Sequence, residues 1–195
     1  QLNFDISQIE ILDKGNKIIG KKRGKITTND GITIDADRFE YDKIKNILKA
    51  SGNIRIKDEI NNYDIYSDNV LYSKKSEKIE IKGKSNSTIY SNYNFKAEDI
   101  IIYRNEGIIS SDKNVTFIDK KNQTLFEIGK FSYSIKEEVL KGEDFFINTK
   151  YNQPFSDKYF FKTSIFNLKD QSYIAQDIDI NLKKDIFGNK NNDPR

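Results

Sequence analysis

The hexapeptide ADRFEY at residues 36–41 belongs to a repeated pattern that decides the fold. It recurs as SDNVLY at 67–72 and as AEDIII at 97–102, at offsets of 31 and 61 residues. In each copy a small residue and an acidic residue precede a strand-like segment. A repeat with a period of about 30 residues predicts copies of one supersecondary unit packed side by side.

The second half of the repeating unit keeps the spacing of the first half. LKASG at 48–52 aligns with IEIKG at 79–83. Fainter copies begin near residues 131 and 165. The spacing is therefore kept across two consecutive strand-like segments, and we interpret the unit as a strand, a turn and a strand.

Apolar and polar side chains alternate through most of the sequence, which is typical of β-strands with one wet face. Clear examples are ITI at 32–34, IRI at 54–56 and IDINL at 178–182. One extra residue between Ala36 and Phe39 shifts the inward set, as a β-bulge or strand corner requires. Because a unit with one apolar face must cover it with another layer, we predict an all-β, two-layer open β-jellyroll built from repeated strand-turn-strand units.

The amino-acid composition excludes most catalytic and metal-based chemistry. The 195 residues include no His and no Cys, which removes Ser-His-Asp and Cys-His nucleophiles and Cys/His zinc sites. Lys and Arg number 33 against 30 Asp and Glu, a net charge of +3 that gives no argument for nucleic acid as a partner. We therefore expect a protein without enzymatic activity, catalytic residues, cofactor or metal.

The repeat resembles that of the OstA-like family of lipopolysaccharide (LPS) transport proteins, and the resemblance covers roughly residues 1–183. Within the family, the chain is most similar to the periplasmic N-terminal domains of the LPS-assembly (LptD) type. The resemblance implies a β-jellyroll that acts as a slide for LPS in the Gram-negative cell envelope. The motifs that carry it are Ala36-Asp37-x-Phe39-x-Tyr41, Ala50-x-Gly52-Asn53-x-x-Ile56 and Ser67-Asp68-x-Val70-x-Tyr72.

The resemblance implies that the inner face of the sheets forms an apolar slot for LPS acyl chains. Alternation alone predicts only that the inward residues form a core, as in any β-sandwich. The family makes such a core a lipid-binding slot. The residues expected to line it are Ile34, Phe39, Tyr41, Ile54, Val70, Tyr72, Ile81, Ile100, Ile102, Val115, Phe117, Phe131 and Tyr133.

The resemblance also implies that the domain docks onto sister proteins through a sheet edge. The alternating segment at residues 4–11 precedes the regular repeats, and we predict an edge strand that accepts an LptA-like periplasmic bridge protein by β-strand addition. The residues expected at this docking edge are Phe4, Ile6, Ile9 and Ile11.

Membership of the LptD type implies a location and a further partner. We expect residues 1–183 to form the OstA-like domain and residues 184–195 to form a linker leading toward an outer-membrane β-barrel that the sequence lacks. An LptE-like lipoprotein plug would then be a partner of the full-length protein. The domain would lie at the periplasmic face of the outer membrane, with its signal peptide already removed.

Two alternatives remain open from the sequence. A free-standing LptA-like periplasmic LPS bridge would have the same repeats, and a structural β-repeat protein-interaction domain would have a closed core in place of a slot.

The strongest charge cluster predicts solvated surface or contact with lipid phosphates. It consists of Lys14, Lys17, Lys21, Lys22, Arg23 and Lys25.

Overall fold

The computed structural model describes residues 2–154 and 156–181, with only the backbone for 178–181. Their secondary structure is sixteen β-strands and a 3₁₀ turn at Asp13–Gly15. The strands are β1 (Leu2–Ile6), β2 (Ile9–Leu12), β3 (Lys17–Gly20), β4 (Gly24–Thr28), β5 (Ile32–Ala36), β6 (Arg38–Asp42), β7 (Ile47–Asp58), β8 (Tyr63–Ser73), β9 (Lys78–Ile89), β10 (Tyr93–Tyr103), β11 (Ile108–Ser111), β12 (Val115–Asp119), β13 (Thr124–Ser134), β14 (Val139–Thr149), β15 (Asp157–Asn167) and β16 (Ser172–Asn181).

All the strands belong to one sheet, and most neighbours in space are neighbours in sequence. The main path runs β1-β4-β5-β7-β8-β9-β10-β11-β13-β14-β15-β16, while β2, β3, β6 and β12 branch from it. The long strands are joined as antiparallel hairpins, such as β7 with β8 and β13 with β14. The strand-turn-strand unit that the repeat predicts is therefore the building block of the sheet.

The long strands each take part in two half-sheets. Strand β7 pairs with β5 through residues 55–58 and with β6 through residues 47–51. Strand β10 pairs with β12 through 93–96 and with β11 through 101–103. We call the part that contains β1, β4, β5 and β12 the first half-sheet, and the part that contains β2, β3, β6 and β11 the second half-sheet.

The half-sheets meet along a bend line that crosses the middle of the long strands. The pairing register shifts there in β7, β8 and β10. Gly52 on β7 and Gly83 on β9 have φ angles of +76° and +84°, values that glycine adopts without steric cost. Asp37, between β5 and β6, donates its backbone N–H to the carbonyl of Gly52 at 3.0 Å. The extra residue between Ala36 and Phe39 thus marks the predicted strand corner.

The two half-sheets face each other and share one apolar core. Phe126 of the first half-sheet lies 5.0 Å from Phe166 of the second, and Phe95 lies 6.0 Å from Phe131, measured between ring centroids. The buried apolar residues of both half-sheets form a single cluster. The prediction of an all-β, two-layer open jellyroll is confirmed.

The N-terminal segment differs from its prediction as one continuous edge strand. The structure divides it into β1, which pairs with β4 of the first half-sheet, and β2, which pairs with β3 of the second. Ser7 and Gln8 lie between the two strands. The chain therefore crosses the bend line here, as the long strands do elsewhere. The sequence did not indicate this break, because apolar and polar residues alternate on both sides of it.

The predicted linker at 184–195 and the last two residues of the predicted domain, 182 and 183, lie outside the described residues. Among the residues that are described, no helix is long and apolar enough to cross a membrane.

Candidate functional site

The structure brings the predicted slot residues together in the core between the half-sheets. Tyr41, near the N-terminal end of the sheet, is only half-buried. The other twelve are buried, and the most exposed of them, Val70, exposes 5% of its surface. These twelve are Ile34, Phe39, Ile54, Val70, Tyr72, Ile81, Ile100, Ile102, Val115, Phe117, Phe131 and Tyr133. Whether they contact lipid remains a prediction.

An apolar row of inner-face side chains crosses the whole second half-sheet, with one residue on each successive strand. We call it the inner row. At about 4.8 Å between strands it is roughly 50 Å long. Its members are Ile11, Ile18, Tyr41, Leu48, Tyr72, Ile79, Ile102, Ile109, Tyr133, Leu140, Phe166 and Tyr173.

The inner row is covered in its middle and uncovered at both ends. Leu48 and Leu140 expose 1% and 0% of their surfaces, whereas Ile11 exposes 65% and Tyr173 exposes 45%. The terminal strands explain this difference, because no described strand pairs with the outer edge of β2 or β16. The apolar interior is therefore continuous with solvent-exposed apolar surface at each end of the sheet.

The predicted docking residues lie on the two free strands at the N-terminal end. Phe4 and Ile6 on β1 are half-buried, and the Phe4 ring lies 5.8 Å from that of Tyr41. Ile9 and Ile11 on β2 are exposed. The outer edges of β1 and β2 have no partner among the described strands, so both can accept a further strand, and their role in docking remains a prediction.

A cluster of charged side chains joins the half-sheets on the side opposite the bend line. We call it the seam cluster, and it consists of Asp30, Asp58, Lys74, Glu77 and Arg104. Asp30 and Asp58 lie at the turns of the first half-sheet, and the other three lie at the turns of the second. Arg104 donates from Nε to Oδ2 of Asp58 at 2.8 Å and from Nη1 to Oδ2 of Asp30 at 3.2 Å. It also bonds Glu77, so one guanidinium links both half-sheets.

The centre of the seam cluster, at Asp58 and Arg104, is withdrawn from water, which strengthens its charge interactions. The side chain of Asp58 is 0% exposed and that of Arg104 is 5% exposed. Partial burial raises the pKa of Asp30. Hydrogen bonds from Thr28, Lys74 and Arg104 lower this pKa by more than burial raises it, so it lies well below its ordinary value. Asp30 is therefore ionised at neutral pH.

The seam cluster also contacts the predicted slot. The Tyr72 hydroxyl donates to Oε2 of Glu77 at 2.7 Å. Burial and this hydrogen bond raise the pKa of Tyr72 well above its ordinary value. Further along the same side, the Tyr93 hydroxyl donates to Oε2 of Glu138 at 2.7 Å and makes a second polar link between the half-sheets. The slot residues are thus closed in by hydrogen-bonded turns.

The sequence analysis did not find the seam cluster or several large rings of the core. Three buried rings were absent from the predicted slot. Each exposes at most 1% of its surface, and they are Phe95, Phe126 and Phe145. The signal that could have found Phe95 and Phe126 is the alternation in YNFKA at 93–97 and LFEI at 125–128. The seam cluster has no such signal, because Arg104 and Asp30 are separated by 74 residues.

The predicted basic cluster is partly neutralised by local ion pairs. Lys17 bonds Glu40 at 3.1 Å, Lys21 bonds Glu10 at 2.6 Å and Arg23 bonds Asp37 at 2.9 Å.

In the described part of the chain, no three His, Cys, Asp or Glu residues lie together in a way that could hold a metal ion.

Comparison with known proteins finds no matching family model and no matching curated protein. Among solved structures, the chain is similar to LptH from Pseudomonas aeruginosa, described as the LptA homologous periplasmic component of the conserved lipopolysaccharide transport device. The two chains are 10% identical with a TM-score of 0.30, and the alignment covers 73% of this chain and 82% of LptH.

Proposed function

We propose that this protein transports LPS in the periplasm by holding its acyl chains between the two half-sheets. The observation that carries the proposal is the inner row, an apolar surface that ends uncovered at both Ile11 and Tyr173. A domain with a purely structural core gains nothing from exposing its core row at both ends. A conduit requires this arrangement, because the lipid must pass from one protein to the next without crossing water.

Lipid uptake requires the half-sheets to part on the side of the seam cluster. The bend line holds them together through the backbone of the long strands, whereas on the opposite side the described residues hold them through side chains such as Arg104 and Tyr93. Each methylene that enters the slot gains about 0.8 kcal/mol. The sugar and phosphate groups would stay in water outside the seam. A slot that binds acyl chains equally well along its length does not make LPS move in one direction. The energy for directional transport must therefore be supplied elsewhere in the pathway.

We further propose that the chain has the role that its resemblance to LptD-type domains implies. The domain would receive LPS from an LptA-like bridge at the β1 and β2 edges and pass it toward an outer-membrane barrel that binds an LptE-like lipoprotein. A free-standing LptA-like bridge fits the same geometry, because the outer edge of β16 is also unpaired within the described sheet.

A second candidate is a structural protein-interaction domain with a permanently closed core. One observation favours it: twelve of the predicted slot residues expose 5% or less of their surfaces. The two candidates differ in whether the core admits acyl chains.

Native mass spectrometry distinguishes the two candidates. The delipidated protein is mixed with LPS and, separately, with deacylated LPS that keeps the sugar and phosphate groups. We expect binding of one LPS per chain, at least about 100-fold tighter than binding of the deacylated form, because the buried methylenes supply the affinity. Equal affinity for both ligands, or no LPS binding, would contradict the proposal and favour the closed core.

A further inference from the structure

The outer face of the second half-sheet contains a groove beside the bend line that neither the slot nor the docking edges use. The groove has a volume of about 290 Å³ and crosses strands β6 to β9. Arg38, Ser51 and Asn69 are cross-strand neighbours along one side, and Lys49 and Leu71 are neighbours along the other. Lys82 on β9 closes the groove at its far end. We call it the outer groove.

Three cations of the outer groove are not neutralised by the protein. Arg38, Lys49 and Lys82 form no ion pair or side-chain hydrogen bond with any described residue. The one acidic residue that lines the groove, Glu40, is bound by Lys17 at 3.1 Å. Nearby cations outside the groove behave differently, since Arg23 bonds Asp37 at 2.9 Å. Glu40 is also the cross-strand neighbour of Lys49, so the groove holds one carboxylate against three cations and carries an excess of positive charge.

The neutral polar groups of the outer groove are also free to bind a ligand. The Ser51 hydroxyl and the Asn69 amide make no side-chain hydrogen bond within the described residues. Together with the guanidinium and the two ammonium groups, they line the groove as donors with no side-chain partner among the described residues. Such a set matches the oxygens of a phosphate group, which prefers charge-assisted hydrogen bonds from Arg and Lys. Leu71 adds an apolar side chain at the edge, against which an esterified alcohol could pack.

We propose that the outer groove binds a phosphate monoester. The groove opens on the outer face of the sheet, so this site is independent of the acyl-chain slot and of the proposed transport function. The phosphate could belong to a lipid headgroup or to a free phosphate in solution, and the chemistry of recognition is the same for both.

Titration with inorganic phosphate, followed by NMR of the backbone amides, tests the site. We expect saturable shifts at Ser51 and Asn69, about tenfold weaker binding in Lys82→Gln and in Lys49→Gln, and unchanged binding in Lys96→Gln. Lys96 is the matched control because it is exposed, unpaired among the described residues and outside the groove. Circular dichroism checks that each variant folds. Absence of saturable shifts, or equal weakening in the groove variants and the control, would overturn the proposal.

Vesicle binding identifies the source of the phosphate. Vesicles of phosphatidylcholine with and without phosphatidic acid are sedimented with the protein at about 0.15 M salt. Loss of phosphatidic-acid binding in Lys82→Gln, but not in Lys96→Gln, assigns the groove to lipid headgroups. Phosphate binding in solution without vesicle binding assigns it to soluble phosphates.

Discussion

Arg104 is the residue on which closure of the seam depends. Its guanidinium faces three carboxylates from different turns, and two of them, those of Asp58 and Glu77, are largely buried. A buried ion pair contributes little net stability compared with an apolar replacement of both partners, but loss of one partner leaves uncompensated buried charge. The seam is therefore sensitive to loss of Arg104, which would leave the buried carboxylates of Asp58 and Glu77 without their cation.

We expect Arg104→Met to lower the free energy of unfolding by about 3 kcal/mol, because the buried carboxylates lose their cation. The matched control is Arg55→Met, which removes an Arg from a pair with Asp64 on the surface. The Arg55 side chain is 46% exposed, so we expect a loss below about 1 kcal/mol. Urea unfolding measures both variants. Similar losses in the two variants would show that the seam cluster has no special role in stability.

At the scale of single elements, the bend line depends on backbone conformations that only glycine adopts easily. Gly52 and Gly83 both have left-handed φ angles, but their surroundings differ. A Cβ atom at Gly52 would lie 2.8 Å from Oδ2 of Asp37, which is held by bonds from Arg23 and Asn53. A Cβ atom at Gly83 would meet nothing within 4 Å.

We expect Gly83→Ala to cost about 1 kcal/mol from backbone strain alone, and Gly52→Ala to cost about 1 kcal/mol more. The additional loss arises because Asp37 must move and release its hydrogen bonds. Thermal or urea unfolding of the two variants gives the difference directly. Equal costs would mean that the contacts of Asp37 do not stabilise the bend.

The edge strand β2 offers a sharper test of docking than the sequence alone allowed. Lys21 donates its backbone N–H to the carbonyl of Gln8 at 3.2 Å. Hydrogen-bonded and non-hydrogen-bonded pairs alternate along an antiparallel ladder, so the backbone groups of Ile9 and Ile11 point away from β3. These outward groups are the ones that a docking strand would bond.

We expect Ile11→Pro to weaken binding of an LptA-like partner at least about tenfold, since proline removes an outward N–H. The melting temperature should change little, because the ladder between β2 and β3 does not use that N–H. Ile11→Val, which keeps the N–H, is the control for the side chain. Normal binding by Ile11→Pro would exclude the β2 edge and favour the edge of β16.

The elements that could be predicted from sequence are those with a local pattern. Alternation and the repeat correctly predicted the strands, their inward residues such as Tyr72 and Ile102, and the corner after Ala36. The seam cluster could not be predicted, because its partners are turn residues brought together only when the sheet folds over. The break at Ser7 and Gln8 was missed because both flanking strands alternate regularly.

At the scale of the whole molecule, the folded sheet has one side held by continuous backbone and an opposite side held by side-chain hydrogen bonds. The backbone of the long strands forms the fixed side, and the hydrogen bonds of Arg104 and Tyr93 form the other. The inner row runs between them to uncovered ends at Ile11 and Tyr173. We propose that acyl chains replace contacts between the half-sheets along this row.

Position-specific photo-crosslinking to LPS tests this claim most directly. The crosslinking residue is placed at Ile102 or Tyr133 on the inner row, and at the outer-face neighbours Ile101 or Ser132 as matched controls. Both inner positions are 0% exposed in the closed state, so they can reach lipid only if the half-sheets part. We predict strong capture of LPS from Ile102 and Tyr133 and weak capture from Ile101 and Ser132. Equal capture from the two faces, or capture from the outer face alone, would contradict the account.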